Sequence, residues 1–162
     1  MIGEAIRLFL TNLPAIFFVA AFVLAYAVKS AEPLPARLLS WLLLLSVGFE
    51  NALFGFLHMF FPELSSASIG WKPSPFEFEI GAADFSLGVI AIVSFWRSLD
   101  FKAAVVIFVT LFYAGVASIH IYEAVTAGNF APNNFGVLLL LTLLKMLLLP
   151  VLYRMVRRAP PP

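Results

Sequence analysis

The sequence contains no cysteine and few charged residues. The absence of cysteine excludes disulfides, thiolate metal ligands, iron–sulfur clusters and a cysteine nucleophile. Charged residues make up 12% of the 162 residues, whereas hydrophobic residues make up 62%. A soluble domain of this length could not cover so much apolar surface with so few charges. The composition therefore predicts an integral membrane protein whose main partner is the lipid bilayer.

Motifs for nucleotides and nucleic acids are missing as well. The formal net charge of +1 provides no basic surface for nucleic acid, and no zinc-finger spacing is present. The sequence has no phosphate-binding loop, no dinucleotide-binding glycine motif and no GxSxG elbow. We therefore expect no nucleic-acid partner and no nucleotide cofactor.

Five apolar stretches are long enough to cross a bilayer, which takes about 20 residues in a helix. They are continuous instead of alternating, which predicts helices and not barrel strands. They cover residues 8–28, 38–61, 76–96, 103–125 and 135–156. The first is longer than the apolar part of a signal peptide, so we expect it to be retained. The predicted fold is all-α, a single transmembrane domain over residues 1–162 built as a five-helix bundle.

The basic residues predict an orientation for this bundle. With five crossings, one side of the membrane receives most of them: Lys29, Arg37, Arg97, Lys102, Arg154, Arg157 and Arg158. The other side receives Arg7 and Lys72. Because cytoplasmic loops are enriched in Lys and Arg, we expect the N-terminus outside and the C-terminus in the cytoplasm, in the cell (inner) membrane. The sequence leaves open whether the chain forms a homo-oligomer or joins a larger membrane complex.

Ionisable residues at membrane depth are rare and are functional candidates. Six of them lie near the centre or in the outer half of the predicted bundle: Glu50, His58, Glu79, Asp84, His120 and Glu123. Two imidazoles with carboxylates could bind a divalent transition metal such as zinc, iron or manganese. Haem held by the two histidines ranks below such a site, because so many acids share this depth. Alternatively, Glu50 forms an intramembrane ion pair with Lys145, which lies at a similar depth in the last span.

The segment Ser-Pro-Phe-Glu before the third span has the pattern of a helix start. Ser74 is expected to be the N-cap, Pro75 the first helical residue, and Glu77 the acid that reaches back to the helix end. This interpretation gives Glu77 a structural role. It leaves Glu79 and Asp84 as the acids of this helix that call for another explanation.

Three segments, GFLHMFFPE, IGWKPSPFEFEIGAADF and SIHIYEA, resemble an uncharacterised family of small bacterial integral membrane proteins of unknown function. The shared pattern is H-x-F at the end of one helix, I-G-W-x-x-S-P-F-x-x-E-x-G at the start of the next, and H-I-x-E at the end of the one after. It corresponds here to residues 58–60, 69–81 and 120–123. The resemblance implies a membrane protein and supplies no known activity.

These observations lead to one leading hypothesis and two alternatives. The leading hypothesis is a membrane-embedded metal-dependent enzyme with its site near the extracytoplasmic face, acting on a small or lipid-like substrate. The first alternative is a proton- or ion-coupled transporter or channel that uses Glu50 and Lys145 as its mid-membrane step. The second is an accessory subunit of a larger membrane complex, in which another chain covers the small-residue groove at Gly48 and Gly55.

Overall fold

The computed structural model describes residues 2–159, which fold into six helices. They are α1 (Ile2–Ala27), α2 (Leu34–Phe60), α3 (Pro62–Ile69), α4 (Phe76–Ser94), α5 (Leu99–Ala127) and α6 (Val137–Arg158). Five of the six correspond to the predicted spans, with ends shifted by a few residues. The sixth, α3, lies in a segment whose polar and small residues predict a loop. Its ends do carry helix signals, since Pro62 is the first helical residue and Gly70 ends the helix with φ of 76°.

Three of these helices, α2, α5 and α6, are long and apolar enough to cross a membrane. The apolar part of α1, Thr11–Ala27, is shorter. Helix α4 carries three carboxylates within 19 residues: Glu77, Glu79 and Asp84. The all-α membrane fold agrees with the sequence-based expectation, while five crossings and their orientation stay predictions.

Helix α2 occupies the centre of the bundle. Its leucine-rich first half contributes fully buried side chains to the core, among them Leu39, Leu42 and Leu43. By contrast, α5 and α6 expose large apolar residues such as Ile107, Leu111 and Leu147 on their outer faces. Contiguous exposed apolar surface of this kind marks a membrane or protein contact, and the length of these helices favours lipid.

Glycines bring α2 and α4 into close contact. A Cβ on Gly55 of α2 would collide with the backbone of Gly81 and Phe85, and one on Gly88 of α4 would collide with the backbone of Gly48 and Ala52. Small residues at such crossings let helix backbones approach closely within a membrane. The accessory-subunit alternative expected another chain to cover Gly48 and Gly55. That expectation is wrong, because α4 of the same chain fills the groove.

Helix α2 changes its winding in the middle. Residues Leu42–Phe49 form a π-helix, and the N–H of Glu50 then bonds to the carbonyls of Leu45 and Val47. At this transition between windings, the Ser46 carbonyl accepts a hydrogen bond of 2.9 Å from the Lys145 side chain of α6. Single turns of π-helix often occur at functional sites.

Side-chain contacts define two ends of the bundle. At one end, Asn129 Nδ2 donates to the carbonyl of Ile69 at 2.9 Å and the ring of Trp71 stacks on His120. At the other end, Trp41 packs against Phe95 with ring centroids 5.0 Å apart. The loops after α3 and α5 therefore lie at one end, and the start of α2 lies with the end of α4 at the other.

Candidate ligand-binding cavity

A cavity of about 670 Å³ lies between α2, α4, α5 and α6, with α3 beside its mouth. Exposed residues of α3, the following loop and the start of α4 line the mouth, including Leu64, Lys72 and Phe76. Buried residues line the closed end, including Glu50 and Tyr113. The wall is largely apolar. A few polar side chains in such a wall are the usual composition of a small-molecule site.

An ion pair between α2 and α6 lies behind the closed end. Lys145 Nζ is 2.7 Å from Glu50 Oε1, and both side chains are almost completely buried. The same ammonium donates to the Ser46 carbonyl at 2.9 Å, and it lies 5.0 Å from the centroid of the Tyr113 ring. The contact between Glu50 and Lys145 that their depth predicted is therefore present, and the π-helical segment supplies a further acceptor for the lysine.

Two further acceptor groups lie at the closed end. The second carboxylate oxygen of Glu50, Oε2, is buried and has no hydrogen-bond partner among the residues that the structure describes. Asp84 of α4 also lines the cavity, and within the described part of the chain it takes part in no ion pair. Asn51 does not reach either carboxylate, because its amide donates to the Val47 carbonyl at 2.6 Å and to Tyr113 Oη at 2.8 Å.

A histidine–carboxylate pair lies nearer the mouth. His58 Nδ1 is 2.6 Å from Glu77 Oε2, and the other oxygen of Glu77 accepts from Ser66 Oγ of α3. A carboxylate only accepts, so His58 Nδ1 carries the proton of this hydrogen bond. In neutral His58 the remaining ring nitrogen, Nε2, is then a proton acceptor.

The second histidine is held by a different partner. His120 Nδ1 is 2.6 Å from Asn134 Oδ1, while Asn134 Nδ2 donates to the carbonyls of Asn129 at 2.7 Å and His120 at 3.3 Å. The two carbonyls fix the orientation of the Asn134 amide, so His120 Nδ1 is the donor. The Trp71 ring stacks on His120 with centroids 5.8 Å apart, and its Nε1 is buried with no hydrogen-bond partner among the described residues.

The structure brings together only some of the predicted site residues. Glu50, His58, Asp84 and His120 all line the cavity, as does Glu77. Glu79 is exposed on α4 and Glu123 is half-buried on α5, and neither belongs to the lining. Among the side chains that the structure describes, which leave out residues 1–7, 10 and 160–162, no group of three or more His, Asp or Glu is close enough to hold a metal ion. The geometry therefore does not support the predicted metal site, and each histidine instead bonds a separate partner, Glu77 or Asn134.

The predicted capping role of Glu77 needs correction. Helix α4 begins at Phe76, and Ser74 contributes a backbone bond, in which its carbonyl accepts from the Glu77 N–H at 3.0 Å. The Glu77 side chain instead lies 6% exposed against Ser66 and His58. The capping prediction treated α4 as an isolated helix, whereas α3 places a hydroxyl group beside this acid.

Sequence reasoning missed several groups of this site. Ser66 and Asn134 are fully buried, and each supports one of the two histidine arrangements. The sequence pattern does not single out Tyr113 or Trp71, yet both line the cavity. Asn134 could have been suspected, since a pair of asparagines in a loop next to an apolar helix is an unusual place for polar side chains.

No curated protein and no solved structure is significantly similar to this chain. A family match, however, covers residues 11–162 and thus includes α2 to α6 and all residues that line the cavity. The chain belongs to DUF6790, a family of unknown function, and this match confirms the predicted membership in an uncharacterised family.

Proposed function

We propose that this protein is a membrane-embedded binding protein for a small, largely apolar molecule. The cavity of about 670 Å³ carries this proposal. Its size lies within the range of roughly 300–1,000 Å³ that is typical of small-molecule sites. Its apolar wall suits a hydrocarbon part, while the polar groups at its closed end suit one head group.

The same proposal includes five membrane crossings with the N-terminus outside. The basic residues of the loops favour this orientation, which places the mouth of the cavity at the extracytoplasmic face. The mouth residues belong to α3 and the loop after it, beside exposed apolar side chains such as Leu64 and Phe76. A molecule dissolved in the outer leaflet could therefore enter without leaving an apolar environment.

Binding of eight-carbon amphiphiles to protein in lipid nanodiscs tests this function. Octanol, octylamine and octanoate are titrated separately while tryptophan fluorescence is recorded. Of the three tryptophans, Trp71 lines the cavity, whereas Trp41 and Trp96 pack around Phe95 at the opposite end. We expect a saturable change with at least one probe, because a ligand in the cavity alters the surroundings of the Trp71 indole.

A pair of variants on α5 controls for partition of the probe into lipid. Val116 lines the cavity, whereas Val125 is 79% exposed and lies outside the lining. Val116→Phe fills part of the cavity and is expected to weaken binding about tenfold or more, and Val125→Phe is expected to leave it unchanged. Saturable binding that is equal in both variants, or absent with all three probes, contradicts the proposed function.

A second candidate function is general-base catalysis on a molecule bound in the cavity. The 2.6 Å contact between His58 Nδ1 and Glu77 Oε2 favours it, because a carboxylate that orients an imidazole is the arrangement of many catalytic bases. In ester hydrolysis, His58 Nε2 would take a proton from water as the water oxygen adds to the carbonyl. The proton then passes to the leaving alcohol as its bond to carbon breaks.

Hydrolysis of p-nitrophenyl octanoate by the protein in nanodiscs tests this candidate. His58→Gln is expected to lower the rate by about 100-fold or more, which is the usual contribution of a positioned base. Glu79→Gln changes an exposed acid outside the cavity and serves as the control. A rate no higher than that of empty nanodiscs, or one that survives His58→Gln, rules the candidate out.

A further inference from the structure

We infer that the closed end of the cavity binds the ammonium group of an amphiphilic amine. This inference rests on the proposed binding function and adds the charge class of the ligand. It follows from the balance of charges, donors and acceptors around Glu50 and Asp84.

The first argument is charge. Glu50 and Asp84 both line the cavity, and Lys145 is the cation that contacts Glu50. Two carboxyl groups and one ammonium leave one carboxyl group without a cation in this region. A buried charge without a partner is unfavourable. A carboxyl group in this position is therefore driven towards its protonated, neutral form. A monovalent cation beside it would allow it to ionise and form a pair, whereas an anionic head group would meet no free cation among the described residues.

The second argument is the match of donors and acceptors. Glu50 is 3% exposed, and its Oε2 has no hydrogen-bond partner among the described residues. The nitrogen donors nearby are already used: Lys145 donates to Glu50 and Ser46, and Asn51 donates to Val47 and Tyr113. The Thr142 hydroxyl donates to Leu138, whereas Ser46 Oγ has no partner among the described residues and Tyr113 Oη accepts from Asn51. The closed end thus offers carboxylate oxygens as free acceptors, while its cationic donor, Lys145, is engaged. An ammonium group, which has three donors and no acceptor, is complementary to that arrangement.

The third argument concerns the rest of the ligand. Between Asp84 and the mouth, the wall is formed by apolar side chains such as Leu57, Val116, Ile119 and Leu139. These residues can contact an alkyl chain or a ring. The two histidines on the same part of the wall, His58 and His120, each already bond a protein partner through Nδ1. The ligand class is therefore a primary or secondary amine with one apolar body, oriented with the amine inward.

Comparison of probes with the same chain length tests the inference. In the nanodisc titration, octylamine is expected to bind about tenfold or more tightly than octanol, because a hydrogen bond to a charged group exceeds a neutral one by roughly that factor. Octanoate is expected to bind more weakly than octanol. If all three bind with equal affinity, the cation inference is overturned while the binding function stands. If none binds, the binding function itself fails.

Two isosteric variants on α4 localise the effect. Asp84→Asn is expected to lower octylamine affinity about tenfold and to leave octanol affinity nearly unchanged. Glu79→Gln, which removes the same charge from an exposed position of that helix, is expected to change neither. Circular dichroism of both variants shows whether each retains its helices. An equal loss of octylamine binding in the two variants would mean that the amine is attracted to the surface charge of the protein and not to the closed end.

Discussion

Lys145 illustrates what a fully buried ammonium requires. Its exposure is 0%, so water solvates none of its three protons. Glu50 Oε1, the Ser46 carbonyl and the face of the Tyr113 ring surround it in place of water. Such pairs add little net stability, because desolvation cancels most of the attraction between the charges. Their loss is nevertheless costly, because it leaves one charge buried alone.

A double-mutant cycle on this pair is the first prediction. Lys145→Met leaves Glu50 without its partner and is expected to lower the free energy of unfolding by about 3–5 kcal/mol. Glu50→Gln is expected to have a similar effect, because it leaves the ammonium unpaired. The double variant is expected to lose less unfolding free energy than the two single variants lose together. Thermal unfolding in detergent measures all three losses. Additive losses would show that the two charges do not stabilise each other.

The metal content of the purified protein is the second prediction at the scale of residues. His58 contacts Glu77 and His120 contacts Asn134, and the described residues hold no group of three ligands. We therefore expect elemental analysis to find zinc, iron and manganese well below one equivalent per chain. One equivalent of any of them, lost in the His58→Ala/His120→Ala variant, would restore the metal hypothesis.

Residue depth along the predicted spans was enough to foresee the pair of Glu50 and Lys145. It was not enough to foresee the contact of His58 with Glu77. That contact depends on α3, a helix of eight residues whose polarity resembles that of a loop. Short helices are difficult to predict because their stability comes from tertiary contacts and not from their own sequence.

At the scale of helices, α2 and α4 form the rigid part of the site. The glycine contacts fix how closely the two helices approach, and hence where Glu50 and Asp84 lie relative to each other. The seven-residue spacing of Gly48 and Gly55 predicted a packing groove, and the structure places Gly81 and Gly88 in it. The π-helical turn could not be predicted, because no residue in LLLLSVGF specifies it. Its Ser46 carbonyl accepts from the buried Lys145, and that contact depends on how α2 and α6 pack together.

Substitution of glycine by alanine at two sites is the third prediction. Gly88→Ala adds a methyl group that collides with the backbone of Ala52, so we expect a loss of about 1–3 kcal/mol in unfolding free energy. Gly115 of α5 has open space around it, and Gly115→Ala is expected to gain about 0.5–1 kcal/mol from helix propensity. Thermal unfolding in detergent measures both changes. A loss for Gly88→Ala together with a gain for Gly115→Ala supports the close contact between α2 and α4. A gain in unfolding free energy for both variants would show that these two helices are not in close contact.

At the scale of the whole molecule, the distribution of charge follows the two ends of the bundle. The loop between α1 and α2 and the loop between α4 and α5 lie at one end, which also carries Lys29, Arg37 and Arg97. The loops after α3 and α5 lie at the end where the cavity opens, and Lys72 lies in the first of these loops. Composition and helix length could predict this arrangement, because both follow directly from the order of residues along the chain. The cavity could not be predicted, because it depends on how four helices pack around it.

The sidedness of the membrane is the fourth prediction, and the absence of cysteine makes it simple to test. Ser74 lies in the loop beside the cavity mouth and Ser30 lies in the loop after α1, and both are exposed. With the N-terminus outside, a membrane-impermeant maleimide added to intact cells is expected to label Ser74→Cys and to leave Ser30→Cys unmodified. After the membrane is permeabilised, both should react, which confirms that the two thiols are accessible. Labelling of Ser30→Cys alone in intact cells would invert the orientation, place the cavity mouth in the cytoplasm, and make an internal amine the ligand to seek.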